Sequence, residues 1–252
     1  PALIETHSAT ELARLAEVSK ATAARFFRAL GYADFEEVKL QAREERNRTQ
    51  PYAYSPNAPG GTVSGRTIGE HLALELANLS RTFEETDPDA LRRACRLIAD
   101  APRLWFMGLG GEAWLARYGQ VLFSRLRASV HVVGATAGAS AEDLAMMGPR
   151  DALVVLAQGP QLRETKAILS YARTARAGVV ALTDHASLAQ VGRFCDLALS
   201  CHVASYGPVP SHTTLVSMMR LLAISYAGAV GDTATQRASL IDDINEELDI
   251  LG

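Results

Sequence analysis

The feature that most constrains the fold is a series of short apolar runs separated by helical patterns. There are five such runs, at residues 104–107, 130–133, 152–157, 178–183 and 197–203. Short apolar runs are typical of strands that are buried on both faces of a sheet. Strands that alternate with helices require right-handed crossovers, which build a parallel sheet covered on both sides. The sequence therefore predicts a doubly wound α/β domain with a five-stranded parallel sheet.

The first run leads into a glycine-rich turn and then into a helical pattern over residues 114–126. Glycines allow a tight turn and a close approach of ligand to backbone, and the helix N-terminus beyond offers free N–H groups to an anion. Ligands of such sheets lie outside the carboxyl ends of the strands. The candidate ligand loops are therefore residues 108–112, 134–140, 157–164 and 183–187.

Residues 108–113 come near the dinucleotide fingerprint G-x-G-x-x-G/A. However, no acidic residue stands about twenty positions further on to hold a ribose, where that fingerprint requires one. A Rossmann oxidoreductase is therefore the weaker interpretation, and no cofactor is expected.

Residues 9–47 carry three helical patterns. Thr10, Ser19 and Asp34 are placed to cap the three helices, and Gly31 to end the second. The side chains expected to be buried at the turn and along the second helix are Val18, Ala23, Ala24, Phe27 and Leu30.

The second helix carries Lys20, Arg25 and Arg28 with no acidic residue before Leu30. Two short helices, a tight turn and a positive second helix favour an all-α helix-turn-helix domain that binds DNA. A three-helix bundle with a solvated charged face fits the same pattern. If the helix enters a major groove, the residues near DNA are Ser19, Lys20, Thr22, Arg25 and Arg28.

Residues 13–38 contain the run "LA…VS-x-AT…RF…LG" followed by a short "FxE" helix. This run resembles the N-terminal module of the RpiR family of bacterial transcriptional regulators. The first helix of that module is shortened here, so the chain is expected to begin inside the domain. Three prolines and two glycines in residues 49–61 indicate a linker. The expected organisation is a helix-turn-helix domain at 1–48, a linker at 49–66 and an α/β domain at 67–252.

Residues 85–230 resemble the SIS (sugar isomerase) domain that follows the helix-turn-helix in that family. The similar segments are its first strand and "GxGxS" loop at 103–112, its "pgDvvia" strand at 150–157, its "GakvIaiTd" strand at 178–184, its "SpLa" turn at 187–189 and its "aDvvL" strand at 196–199. The resemblance implies a ligand site at the glycine loops. The residues it assigns there, together with one serine from a later loop, are Gly108, Gly110, Gly111, Glu112, Ala157, Gln158, Gly159, Glu164 and Ser211.

Family members that bind phosphosugars have a serine at the position of Glu112 and an "S-x-S-G-x-T-x-E" loop at residues 157–164. In this chain that loop keeps only Glu164, and Pro160 lacks an N–H donor. Glu112 would repel a phosphate at about 4 Å by roughly 4 kcal/mol for an effective dielectric of 20. We therefore predict that ordinary sugar phosphates bind poorly. Ser211 is expected to cap the next helix rather than to touch a ligand.

An isomerase would need a general base, and the candidates near loop ends are Glu112, Glu142, Glu164, His185 and His212. Nothing in the sequence pairs them, so each is expected to be structural or solvated. No histidine pair has metal-ligand spacing, so no metal is expected. The thiols of Cys95, Cys195 and Cys201 are expected to be reduced and structural.

The net charge of −3 excludes a globally basic nucleic-acid binder but allows a local DNA-binding module. We find no membrane span and no signal peptide, and we expect a cytoplasmic protein. The favoured function is a non-enzymatic transcriptional regulator that binds a double-stranded DNA operator and a small carbohydrate-derived or related effector. It would form a homodimer or tetramer through the helices at 215–229 and 238–251. The alternatives are a sugar-phosphate isomerase-type enzyme and a regulator whose α/β domain only dimerises.

Overall fold

The structure is a computed structural model. It describes residues 9–16, 18–32, 34–35, 37–38, 67–134, 141–159, 161, 163–206 and 210–248. The predicted linker at 49–66, the candidate loop residues 135–140 and Pro160 lie outside the described residues. The chain divides into two compact units, one formed by residues 1–76 with 203–211 and the other by residues 77–202 with 212–252.

The first unit contains helices α1 (Ala9–Leu15) and α2 (Lys20–Ala29). Ser19 caps α2 as predicted, since its side chain accepts the backbone N–H of Thr22 at 3.1 Å. Gly31 follows the helix with a φ of +96°, which suits a glycine at a helix end. Asp34 accepts the N–H of Glu37 at 2.9 Å, in agreement with its predicted role as a cap. Thr10 lies inside α1, so its predicted role as a cap is wrong, because a cap residue flanks its helix.

The burial predicted for this pair of helices is also wrong in part. Val18 is 41% exposed and Leu30 58% exposed, and Ala24 is exposed as well. Ala23 and Phe27 are half-buried, and α2 has no buried residue. Two helices this short have too little surface to enclose each other's apolar side chains.

Helix α3 (Ile68–Glu85) begins at a capping box. Thr67 Oγ1 accepts the N–H of Glu70 at 3.1 Å, and Glu70 Oε2 accepts the N–H of Thr67 at 3.3 Å. The apolar stripe of this helix is exposed rather than buried, with Ile68 at 89% exposure. The buried residues of α3 are instead Asn78 and Thr82. The helical period of its apolar residues therefore agrees with the element but does not indicate the face that is buried.

The second unit contains the predicted parallel sheet, and the prediction of five strands is confirmed. The strands are β1 (Leu104–Met107), β2 (Val130–Val132), β3 (Ala152–Ala157), β4 (Gly178–Asp184) and β5 (Leu197–Cys201). Their order is β2-β1-β3-β4-β5, and every neighbouring pair is parallel. The helices are α4 (Pro88–Asp100), α5 (Ala113–Ser124), α6 (Ala141–Met146), α7 (Arg163–Thr174), α8 (His185–Val191), α9 (Thr213–Val230) and α10 (Asp232–Glu247).

The sheet is covered on both faces, because successive strand residues point to opposite sides. On one face Trp105 and Leu153 belong to the same buried cluster as Ile168 of α7. On the other face the ring centroid of Phe106 lies 5.4 Å from that of Phe123 in α5. The fold is therefore doubly wound, and the carboxyl ends of the strands form one edge where the candidate loops meet.

Helix α9 is long and apolar enough to cross a membrane by length and composition. Leu215, Met218 and Leu222 of this helix are fully buried within the unit. This face of α9 therefore packs in the core of the unit.

Candidate functional site

The glycine turn after β1 depends on a close backbone approach. A Cβ atom at Gly108 would lie 2.3 Å from the carbonyl oxygen of Glu112, so this position requires glycine. Gly110 has a φ of +61°, and Gly110–Glu112 forms one 3-10 turn that leads directly into α5. Glu112 therefore lies at the N-cap of α5.

Glu112 faces a histidine at the start of α9. The distance between Glu112 Oε1 and His212 Nε2 is 3.9 Å, and the two side chains are 15% and 17% exposed. The edge of the Trp114 ring packs against the His212 ring at 5.5 Å between centroids. Glu112 was expected at the ligand site and as a candidate general base, whereas His212 was expected only as an unpaired candidate base at a loop end. The fold brings them together as a largely buried carboxylate–imidazole pair.

The first turn of α9 adds a polar group that the sequence analysis did not single out. The Thr214 hydroxyl is buried and has no hydrogen-bond partner among the described residues. Buried hydroxyls are usually paired, and an exception at a candidate site is a position where a ligand could supply the partner. A threonine at a helix start gives no sequence signal of this kind.

The loop after β3 is held by hydrogen bonds to Asp184 and Ser187. Ala157, Gln158 and Gly159 are buried. The Gly159 N–H donates to Asp184 Oδ2 at 2.6 Å, and the Ser187 hydroxyl donates to the Gly159 carbonyl at 2.7 Å. The first of these bonds occupies an N–H donor that a phosphate-binding loop would offer to its ligand. The three residues therefore form a structural turn.

Two further predicted ligand residues lie elsewhere. Glu164 is exposed in the first turn of α7, where a carboxylate interacts favourably with the helix dipole. The Ser211 hydroxyl donates to Glu75 Oε2 at 2.9 Å. Helix α9 has His212 at its N-cap and no side-chain cap bond, so the expectation that Ser211 caps this helix is wrong.

The predicted DNA-contacting residues share one short helix. Lys20, Thr22, Arg25 and Arg28 are all exposed. At about 100° per residue, the three basic side chains of α2 fall within an arc of about 140°. The Ser19 and Thr22 hydroxyls are 2.8 Å apart and fix the start of the helix. The structure thus presents a compact basic face.

The fold also brings together two histidines that are far apart in the sequence. The ring centroids of His185 and His202 are 5.0 Å apart, and His202 Nε2 lies 2.9 Å from Glu85 Oε2. Sequence spacing missed this group, because its members come from the ends of three different elements.

The three thiols are free, and two of them are strongly shielded. Burial raises the pKa of Cys195 and of Cys201 to about 12, and burial also raises the pKa of Cys95. A thiol with such a pKa is protonated and unreactive at neutral pH. These side chains therefore act as core residues.

The chain is similar to known proteins both in its α/β unit and over most of its length. Residues 97–225 match the family model of the SIS domain. The HTH-type transcriptional regulator HexR of Pseudomonas aeruginosa is 27% identical over 222 residues, which cover 86% of this chain and 76% of HexR.

Two solved structures share the fold. The sugar isomerase domain of an RpiR transcription factor from Sphaerobacter thermophilus superposes with a TM-score of 0.63 at 25% identity, over 68% of this chain and 96% of that domain. Vibrio vulnificus NanR, solved in complex with ManNAc-6P, superposes with a TM-score of 0.61 at 16% identity. That match covers 98% of this chain and 88% of NanR, and at this identity it shows the fold alone.

Proposed function

Because this chain belongs to the SIS-domain family and is of its RpiR type, we propose that it is a DNA-binding transcriptional regulator that responds to a small carbohydrate-derived metabolite. The observation that carries the proposal is the basic face of α2. Lys20, Arg25 and Arg28 project from a helix that is capped at Ser19 and has no acidic residue in its first turn. A capped positive helix after a tight turn suits insertion into a major groove.

The proposed contacts divide into two kinds. Lys20, Thr22 and Arg25 lie near the start or middle of α2 and would reach base edges or phosphates, with Arg28 on phosphate. Ser19 would act mainly by fixing the helix start, since its side chain already accepts the N–H of Thr22. Affinity from a single short helix is small, so useful binding requires two half-sites and therefore a dimer.

The dimer would form through the last two helices. Ile224 on α9 is 65% exposed, and Leu240 and Leu248 at the chain's C-terminal side are 54% and 62% exposed. Exposed apolar side chains on two successive helices support a site of association there. We propose a homodimer or a tetramer built on these helices, acting in the cytoplasm where operator DNA is accessible.

The effector site would lie at the glycine turn after β1. Glu112 and His212 can hydrogen-bond hydroxyl groups of a ligand. A carboxylate at Glu112 disfavours a phosphate, whereas it suits a neutral or cationic sugar derivative. The closed loop at Ala157, Gln158 and Gly159 would shape the pocket rather than supply its donors.

The Glu112–His212 pair also favours a second candidate, a sugar isomerase-type enzyme. A carboxylate and an imidazole 3.9 Å apart could act as general base and acid on a sugar C–H and O–H. Aldose–ketose exchange followed by proton NMR in deuterated water would reveal this activity. Solvent deuterium incorporated at C2 by the wild type and lost in His212→Asn would support the enzyme.

The regulator is tested by selection of genomic DNA fragments with the full-length protein. We expect an enriched palindromic site that Lys20→Ala and Arg25→Ala fail to enrich. If the wild-type protein enriches no sequence, the regulator proposal is contradicted. Small molecules that co-purify with the protein can be identified by mass spectrometry of the denatured sample.

A further inference from the structure

Side chains that favour a metal ion meet at the carboxyl ends of β4 and β5. His185 is the first residue after β4, His202 follows the last residue of β5, and Glu85 ends α3. One ligand atom from each side chain lies within 4.8 Å of the others. We propose that Glu85, His185 and His202 bind a divalent cation of the zinc class.

The chemistry of the three groups suits this ion. Imidazole nitrogens and carboxylate oxygens bind Zn²⁺ at about 2.0–2.1 Å in a tetrahedral arrangement, which separates the ligand atoms by about 3.3 Å. His202 Nε2 and Glu85 Oε2 are 2.9 Å apart, as expected for a pair that shares a proton. Replacement of that proton by the ion opens this distance by only about 0.4 Å.

The remaining adjustment concerns the distances from His185 to the other two groups, of which Glu85 is the more exposed. These distances are at most 4.8 Å. They must shorten by at most about 1.5 Å for tetrahedral binding. The Glu85 side chain is 60% exposed, whereas that of His202 is 16% exposed. A glutamate at the end of a helix can change its rotamer without disturbing the core.

Buried groups hold the two histidine-bearing segments in place. Thr82, which is 1% exposed, accepts the backbone N–H of His202 at 2.8 Å and lies one helical turn before Glu85. Asp184 is also 1% exposed and accepts the N–H of Ser187 at 2.7 Å, which fixes the start of α8 at His185. Such supporting bonds orient metal ligands in advance and lower the cost of binding.

Three protein ligands leave the fourth tetrahedral position to water or to an oxygen atom of a small molecule. The site lies at the sheet edge where ligands of parallel sheets bind. The inference does not depend on DNA binding, so its test is separate from that of the proposed function.

The test uses untagged full-length protein freed of metal with EDTA and titrated with ZnCl₂ against a chromophoric chelator. We expect one equivalent bound per chain. Glu85→Gln and His202→Asn should each weaken the affinity at least tenfold, because each removes one of three ligands. Glu84→Gln, which changes the adjacent exposed carboxylate, should leave the affinity unchanged.

Titration with Co²⁺ reports the geometry of the same site. Intense visible absorption indicates four-coordinate cobalt and supports the proposal, whereas the weak spectrum of six-coordinate cobalt contradicts it. Zinc affinity that is equal in wild type and in Glu85→Gln also overturns it. Because the Glu85 side chain is exposed, this variant retains the fold and the test stands even if His202→Asn does not fold.

Discussion

Helices α1 and α2 differ from the sheet in whether their apolar and charged side chains are buried or exposed. In the sheet, apolar side chains are buried and the carboxylate of Asp184 is bonded inside the protein. In the helix pair, apolar side chains such as Leu30 are exposed and the charges of Lys20 and Arg25 face outward. The difference fits the proposed function, in which the sheet supplies stability and α2 contacts DNA. Substitutions in the sheet should therefore lower the stability of the protein, whereas substitutions of the basic residues of α2 should weaken DNA binding.

The largest effect is expected for Asp184→Ala. Its carboxylate accepts the N–H groups of Gly159 and Ser187, so its removal leaves two buried donors without an acceptor. We expect the free energy of unfolding to fall by about 3 kcal/mol, measured by urea denaturation. Asp242→Ala, which breaks an exposed pair with Arg125, is the control and should cost less than about 1 kcal/mol. Equal losses of unfolding free energy in the two variants would contradict the view that the buried bonds of the sheet supply stability.

A smaller loss is expected for Gly108→Ala. The added Cβ would meet the Glu112 carbonyl oxygen at 2.3 Å, and a backbone atom can move only with its turn. We expect a cost of about 2 kcal/mol in thermal unfolding, as for other overpacked sites. Gly111→Ala is the matched control, since a Cβ there meets nothing within 4 Å. A Gly108→Ala variant as stable as Gly111→Ala would show that the turn is not tightly packed.

Glu112→Ser should alter ligand preference. Removing the carboxylate and supplying a hydroxyl should improve binding of glucose 6-phosphate or ribose 5-phosphate at least tenfold, or about 1.4 kcal/mol. Calorimetric titration measures the change, and Glu164→Gln on the exposed start of α7 is the control. Strong binding of these phosphates by the wild type would instead show that Glu112 does not repel them.

The smallest effect is expected for Ser19→Ala, because it removes one cap from an exposed helix. The local stability of α2 should fall by about 1 kcal/mol, as seen by faster hydrogen exchange of its amides. Ser80→Ala, in an exposed position of α3, should change nothing. If exchange in the strands also quickens after Ser19→Ala, the helix pair contributes to the stability of the sheet.

The sequence predicted the sheet well for a physical reason. Strands buried on both faces must be apolar throughout, so β1 and β3 were placed with their bounds as observed. Helix faces were predicted less well, because a periodic stripe such as that of Ile68 indicates a helix but not which surface covers it. Caps set by local geometry, such as Ser19, were again predictable.

The candidate site could be predicted only in part. The glycine turn and Glu112 follow from local sequence, as does the loss of hydroxyls after β3. The pairing of Glu112 with His212 joins residues 100 positions apart and depends on how α9 docks. The closure of the Gly159 loop by Asp184 likewise depends on neighbouring strands rather than on either segment alone.

The most direct test of the central claim is the affinity of the full-length protein for its selected operator, measured by fluorescence anisotropy at fixed salt. Arg25→Ala should raise the Kd at least tenfold without changing the melting temperature, because it removes a contact on the basic face of α2. Arg14→Ala, an equal change of charge on exposed α1, should raise the Kd less than about threefold. Equal effects of the two substitutions, or none, would contradict recognition through α2.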